Sequence, residues 1–247
     1  MQTNTVSGDS QGLSFEGQNI VIIGGSSGIG LAAARLAKQA GANLFLISRS
    51  SQRLRTAAEA IGGATQIVAD IAAPQEAMFA GMDRIDHLVV TAGTVHLKAL
   101  KDQSEADFLQ VTYERLIGPL LAIKAALPLL RAGGSITMTS GQFASRPAAL
   151  GAIVAAAVAA VESLVRALAI ELSPMRVNAV SPGWVDTPLL DVLIGDSKRQ
   201  VLEQTALTLP SRNIGRPDDI AQAILFLMAN RFVTGEVLHV DGGGRWV

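Results

Sequence analysis

The chain has 247 residues, 49% of them apolar and 17% charged, with a net charge of −1 and no cysteine. That is enough chain to bury the core of one large α/β domain, and the near-neutral balance argues against nucleic acid or an anionic membrane surface as a main partner. The absence of cysteine excludes disulfides and thiol catalysis and fits a reducing, cytoplasmic setting.

Residues 1–12 are polar and lack the basic start and apolar core of a signal peptide. They are expected to be a disordered leader ahead of a single domain over 13–247. The first element is the run Ile20-Val-Ile-Ile-Gly-Gly-Ser-Ser-Gly-Ile-Gly30, followed by Leu31-Ala-Ala-Ala-Arg-Leu-Ala-Lys-Gln-Ala40. A continuous apolar run fits a strand buried on both faces, and the following helix formers end at Gly41. A strand, a turn with Gly24, Gly28 and Gly30, and a helix supply what a dinucleotide site needs. The turn has backbone freedom, the backbone can approach a pyrophosphate closely, and the helix N-terminus offers free N–H groups. Glycine spacing alone is a weak signal; the strand–turn–helix context is what gives it weight.

Strands are predicted at 19–23, 44–48, 66–69, 87–91, 135–140, 176–180 and 237–240. Helices are predicted near 29–40, 52–60, 75–80, 104–131, 148–172 and 217–229. This alternation implies a Rossmann fold, a doubly wound parallel sheet of about seven strands with helices on both faces. The uncharged apolar stretch 147–161, 15 residues long, is too short to span a bilayer and reads as a buried helix. The segment 183–215, with Pro188 and Pro210, is long for a loop and is expected to be a substrate or lid loop, with short helices in it.

In a dinucleotide fold the end of the second strand selects the cofactor. An acid there bonds the ribose hydroxyls of NAD, and an Arg accommodates the 2′-phosphate of NADP. Here the chain reads Ser48-Arg49-Ser50-Ser51 with no carboxylate. A guanidinium flanked by hydroxyls suits a phosphate, so NADP(H) is favoured over NAD(H).

These motifs together resemble the short-chain dehydrogenase/reductase family over nearly the whole chain. The turn Gly24–Gly30, including Ser26, Ser27, Gly28 and Ile29, matches the family's glycine motif, although Ile23 stands where a Thr is customary. Asp70, followed by Ile71, sits where the family's Asp meets the adenine. Thr91-Ala92-Gly93 resembles the Asn-Ala-Gly motif with its Asn replaced. Arg176-Val-Asn-Ala-Val-Ser-Pro182-Gly183 matches the segment after the sixth strand, and Val185 and Thr187 fall where relatives contact the nicotinamide carboxamide. Gly215-Arg-Pro-Asp218 and Val240-Asp-Gly-Gly243 complete the pattern. The resemblance also implies a homodimer or homotetramer, in keeping with helices near 104–131 and 148–172 that are apolar around much of their circumference.

The family's chemistry uses Asn, Ser, Tyr and Lys, with Tyr as general acid and Lys four residues later on the same helix. In this sequence those positions fall on Arg115, Gly141, Val154 and Val158. All four usual groups are absent, and 148–161 contains neither Tyr nor Lys, so no small shift restores them. Weak substitutes are Arg115, as a cation for a carboxylate or oxyanion; His96, in the loop after strand four; and Ser140 and Gln142, as hydrogen-bond donors. Against each stands a plain structural role. Tyr113, two residues before Arg115, is expected to face elsewhere, and His87 and His239 read as structural. No metal is expected. The sequence therefore supports an atypical NADP(H) oxidoreductase acting on a small apolar carbonyl-type substrate. The alternative is a catalytically inactive NADP(H)-binding sensor or partner subunit.

Overall fold

A computed structural model of the chain describes residues 13–72 and 78–247. At its centre is β1 (Asn19–Ile23), which sends Ile20 and Ile22 to one face of a sheet and Val21 and Ile23 to the other, all four buried. A strand covered on both faces is apolar at every position, the pattern of a parallel sheet between helical layers. The remaining strands are β2 (Asn43–Ser48), β3 (Thr65–Val68), β4 (Ile85–Val90), β5 (Leu130–Thr139), β6 (Arg176–Pro182) and β7 (Val237–Val240). They form one parallel sheet in the order β3-β2-β1-β4-β5-β6-β7.

The described helices are α1 (Gly28–Gln39), α2 (Ser51–Ala60), α3 (Glu105–Thr112), α4 (Gly118–Ala126), α5 (Ala152–Glu171), α6 (Pro188–Ile194), α7 (Lys198–Thr208) and α8 (Pro217–Ala229). Small residues of α1 (Ala33, Ala34, Ala37) and branched residues of α8 (Ile220, Ile224) pack on the Ile20–Ile22 face. On the opposite face Ala122 and Ile123 of α4 and Val161 and Val165 of α5 meet Val21, Leu88 and Ile136. The molecule is thus a single Rossmann-like domain of three layers. By length and composition α5 could cross a membrane, with a mean hydropathy of 2.1. It is a core helix here: Val154, Ala157, Val158, Val161, Val165 and Leu168 all bury.

All seven predicted strands are present, with ends shifted by a residue or two, except that β5 begins five residues early. Leu130 pairs with Ile85 before a bulge, after which Ser135 pairs with His87. The helix expected over 104–131 runs from Glu105 to Ala126 and carries a local change of winding. Between α3 and α4 a turn of π-helix spans Tyr113–Ile117, and Leu127–Leu129 is a single 3-10 turn leading into β5. The next long helix starts at Ala152 rather than 148, because the polar-poor segment before it makes a turn with Leu150 at φ 68°. The leader at 1–12 and the first half of the helix expected at 75–80 lie outside the described residues; Met78 and Phe79, in its second half, are buried with Val21, Leu88 and Ile136.

The N-terminal edge of the sheet carries a buried polar group with a consequence for stability. His87 on β4 is 6% exposed and packs edge-on against the Phe15 ring; it hydrogen-bonds Ser135 Oγ at 2.7 Å and Gln18 Oε1 at 2.8 Å. Burial, helped by Arg176 and opposed by Asp86, pushes its pKa down to about 4. The native ring stays neutral while the unfolded chain protonates near the ordinary value of about 6.5. The stabilisation is therefore complete above about pH 6.5 and is lost as the pH falls towards 4, a change of roughly 3 kcal/mol. Thermal unfolding followed from pH 7 to about 4.5 should show this loss, and His87→Gln should flatten it. An unchanged profile in the variant would assign the acid sensitivity elsewhere.

Candidate functional site

Chain order and sheet order diverge at β1 and β4. From β1 the chain winds outwards through β2 and β3; from β4 it winds the other way through β5, β6 and β7. Loops leaving the C-terminal ends of β1 and β4 therefore part company and leave a crevice, the place where such sheets bind ligands. Here the crevice is a cleft of about 720 Å³ floored by the turn after β1 and the loop after β4, with one side of α6 along its rim.

The turn is shaped for close backbone approach. Gly24 has φ 92°, and a Cβ there would lie 2.7 Å from Ala92 N and from Thr91 Oγ1. A Cβ on Gly30 would collide with the Gly24 carbonyl and lie 2.6 Å from Thr91 Oγ1, so α1 can seat this low on the sheet only with glycine. Ser27 occupies the N-cap of α1 without capping it, and the first turn has no acidic residue. The free N–H groups and the positive end of α1 thus face the cleft, an arrangement complementary to an anion. Ser26 Oγ hydrogen-bonds Ser48 Oγ at 2.8 Å, tying the glycine turn to the end of β2, and beyond it Arg49 and Arg53 bring two guanidinium groups to the same rim. The residues present fit a dinucleotide, with an anion seat at α1 and a second, cationic seat after β2.

Gly24, Ser26, Ser27, Gly28, Ile29, Gly30, Ser48 and Arg49 all line the cleft, as do Ile71, Ala92, Gly93, Thr187 and His96. Five predicted positions stand just behind the lining. Asp70 lies 3.8 Å from Arg49 and accepts from Ala72 N, with its neighbours Ala69 and Ile71 at the surface of the cleft. Pro182 ends β6; Gly183 abuts Asp241; and Val185 bridges to Gly215, which fixes the chain leading to Thr187. Thr91 replaces the customary Asn with a simpler device, its hydroxyl and its N–H both donating to the Ile23 carbonyl at the β1–β4 seam. Arg115 is the fifth: its Nε and one Nη donate to the Thr94 carbonyl at 2.8 and 2.6 Å, beside Gly93. Burial lowers this guanidinium to about 10, with Glu114 opposing, so it remains charged at neutral pH.

The segment 183–215 contains two helices, α6 and α7. Lys198, at the start of α7, holds Asp186 and Asp191 at 2.6 Å each and donates to the Thr187 carbonyl at 3.3 Å, so it ties α7 to the chain entering α6 and to the middle of that helix. These two acids raise the lysine above its usual range.

On the far side of the cleft, positions 154 and 158 are filled by hydrocarbon. Val154 and Val158 are each 1% exposed, and Val154 packs with Val111 and Ala157, backed by Val95, Phe143 and Ile153. Gly141 is adjacent to Val158, since a Cβ on it would meet Val158 Cγ1 at 3.9 Å. Ser140 turns away from the cleft to donate to Glu162 Oε1 at 2.8 Å and the Val158 carbonyl at 3.2 Å. Gln142 faces the C-terminal turn at Gly244, and its buried Oε1 has no protein donor among the described residues. Ser140, Gln142 and Arg115 therefore do not line the cleft, while His96 does. Sequence reasoning missed five polar lining residues, Arg53, Thr94, Lys98, Asp107 and Glu114, which no local motif marks.

Comparison with known proteins places this architecture. A family model described as enoyl-(acyl carrier protein) reductase matches residues 23–244. The chain is 34% identical to the short-chain dehydrogenase/reductase ATR9 of Stachybotrys chlorohalonatus, over 93% of this chain and 97% of that one. The chain belongs to the short-chain dehydrogenase/reductase family. Among solved structures, a short-chain dehydrogenase/reductase described as glucose/ribitol dehydrogenase from Brucella melitensis superposes with a TM-score of 0.89 at 33% identity, covering 95% of this chain and 99% of that one. A small-chain dehydrogenase solved in complex with NADPH gives 0.82 at 31% identity, covering 93% and 99%. The family is one of oxidoreductases that bind nicotinamide dinucleotides, and the cleft at the β1–β4 divide is where this fold holds them.

Proposed function

We propose that the protein is an NADP(H)-dependent oxidoreductase with a non-standard active site. The observation that carries the choice of NADP(H) is the pair Arg49 and Arg53 beside Ser48 and Ser26 at the end of β2, where an NAD-selective site would present a carboxylate. The relative solved with NADPH supports the same choice. The residues have separable tasks. The α1 N-terminus and the glycine turn hold the pyrophosphate; Arg49 and Arg53 hold the 2′-phosphate; Asp70 and Ile71 bound the adenine pocket. Thr187, at the N-cap of α6, positions the carboxamide, and α6–α7 serve as a lid over an apolar substrate pocket formed with Leu189, Val192 and Leu193. When bound, the reduced nicotinamide supplies a hydride equivalent to an electrophilic carbon of a small carbonyl-type substrate. Exposed apolar side chains on the α3–α4 side (Leu109, Leu120), in the loop between α8 and β7 (Phe232) and at the C-terminus (Trp246) support a homodimer or homotetramer.

Arg49→Ala should weaken NADPH binding by about 1.5–3 kcal/mol, roughly 10- to 150-fold, and leave NADH binding unchanged. Calorimetric titration of both nucleotides checks this; equal losses for the two would refute the 2′-phosphate assignment. A second reading is favoured by the hydrocarbon at positions 154 and 158: a catalytically inactive NADP(H)-binding sensor or partner subunit. Oxidation of NADPH against a panel of ketones, aldehydes, quinones and enones decides between them. Tight NADPH binding without turnover selects the second.

A further inference from the structure

Hydride delivery to a carbonyl leaves an oxyanion that needs a proton, and the positions that provide one in this family are occupied here by Val154 and Val158. An oxidoreductase of the kind proposed, the reading on which the assignment of a donor rests, must keep its proton source in the cleft itself. The proton-bearing side chains that line it, among the described residues, are Arg49, Arg53, His96, Lys98, Asp107 and Glu114, with serine and threonine hydroxyls. Arginines do not give up a proton near neutral pH. Lys98 Nζ is held by Asp107 Oδ2 at 2.8 Å, which removes both members of that pair. Hydroxyls without a base beside them are poor donors.

His96 and Glu114 remain, and the two are joined through Thr94. Glu114 is 15% exposed, with both oxygens engaged: Oε1 accepts from Gln110 Nε2 at 3.1 Å, and Oε2 accepts a short hydrogen bond from the Thr94 hydroxyl. Burial alone would raise this carboxyl, but the Thr94 and Gln110 hydrogen bonds and the charges of His96 and Arg49 outweigh it and hold Glu114 below the usual range. An ionised Glu114 can only accept, so the Thr94 hydroxyl must donate to it. The Thr94 oxygen then has only lone pairs for its other neighbour, His96 Nε2, at 2.8 Å. His96 must therefore carry a proton on Nε2, and its Nδ1 is the nitrogen left to exchange.

The backbone device that builds this chain is the π turn at Tyr113–Ile117. Consecutive residues Glu114 and Arg115 grip Thr94 at two points, Glu114 by the hydroxyl and Arg115 by the carbonyl. Such single π turns are rare and concentrate at functional sites.

We propose that His96 is the proton donor of this active site, and that Thr94 and Glu114 are positioning residues that fix its tautomer and its orientation. In the step, a hydride from the reduced nicotinamide forms the new C–H bond and the carbonyl π pair moves to oxygen. That oxygen takes the proton from His96 Nδ1, leaving the alcohol, the oxidised dinucleotide and a neutral ring protonated on Nε2. His96 is 45% exposed, so solvent can return the proton.

Two measurements test the assignment. Nitrogen-15 spectra of the histidine rings in the ligand-free protein, assigned by loss of one signal in His96→Gln, should show neutral His96 in the Nε2–H tautomer. Thr94→Val or Glu114→Gln should relax it to a mixture. A ring in the Nδ1–H tautomer, or one indifferent to both variants, overturns the relay. In turnover, with the best probe of the carbonyl panel at saturating NADPH, His96→Gln should lower kcat on the order of 10²-fold with NADPH affinity kept within about twofold. Thr94→Val and Glu114→Gln should each lower it about tenfold. Turnover that survives His96→Gln overturns this assignment alone. NADPH binding with no turnover by the parent protein overturns the oxidoreductase reading, and this assignment with it.

Discussion

Gly24→Ala should yield a protein that has lost dinucleotide binding and about 3 kcal/mol of stability. Two independent penalties meet at this residue. Its φ of 92° is left-handed backbone that costs an L side chain roughly 1–2 kcal/mol. The added methyl would lie 2.7 Å from Ala92 N, a backbone atom of the neighbouring loop that can yield only by shifting the end of β4, and such overpacking costs about 1–3 kcal/mol. For a domain of this size the melting midpoint should fall by roughly 6–12 °C. The same shift pushes the backbone into the space above the α1 N-terminus, so NADPH affinity should drop by at least tenfold more than in a surface control of equal stability. Thermal melts with and without NADPH separate the two losses. A variant that melts like the parent and still gains stability from NADPH would move the pyrophosphate seat elsewhere.

The second large effect concerns the vanished tetrad. Restoring three of its four members as Gly141→Ser/Val154→Tyr/Val158→Lys, with Arg115 kept, should cost about 3–5 kcal/mol, and the single variants should divide that sum unevenly. Gly141 is open, with only Val158 Cγ1 at contact distance, so a serine there should be neutral to within about 0.5 kcal/mol. Val154 is enclosed by Val111, Ala157 and Phe143, and a phenol in its place overpacks that cluster by about 1–3 kcal/mol. Val158 is 1% exposed, and the nearest acid along its helix, Glu162, is already engaged with Ser140, so a lysine there buries a poorly compensated charge. Denaturant unfolding of the three singles and the triple measures the partition. A triple variant as stable as the parent would mean that the old catalytic space is still open, and ketone reduction should then accompany it.

How far the sequence can be read follows from which features are local. β1 is legible because a strand covered on both faces is apolar at every position, as Ile20 to Ile23 show, whereas the edge strand β3, Thr-Gln-Ile-Val and mostly exposed, is marked only by its place in the strand–helix alternation. The glycine turn is legible because steric demand at Gly24 and Gly30 is written into the chain within a few residues. Arg49 is legible by its place after β2. The π turn at Tyr113–Ile117 is not, and the contacts it makes lie about 20 residues away, at the hydroxyl and carbonyl of Thr94. For the same reason Arg115 reads in sequence as a free cation when it is a brace for the Thr94 loop, and Glu114 carries no local mark at all. Ser140 misleads in direction only: nothing local tells a serine at the end of a strand to bond Glu162 on a helix instead of facing the cleft. Gln142 belongs to the same class, its partner surface being the distant turn at Gly244.

Lys198 gives the cleft a property that its walls alone would not have. The lysine is 19% exposed, but the two acids it clasps, Asp186 and Asp191, are more than half exposed. Ion pairs in that setting weaken as salt shortens the screening length, about 8 Å at physiological ionic strength. On the proposed reading the glycine turn and the α1 N-terminus hold the dinucleotide through rigid backbone, whereas the Lys198 clasp on the proposed lid is electrostatic and wet. Release of NADPH is therefore expected to quicken as ionic strength rises, while its seat on the turn is less affected.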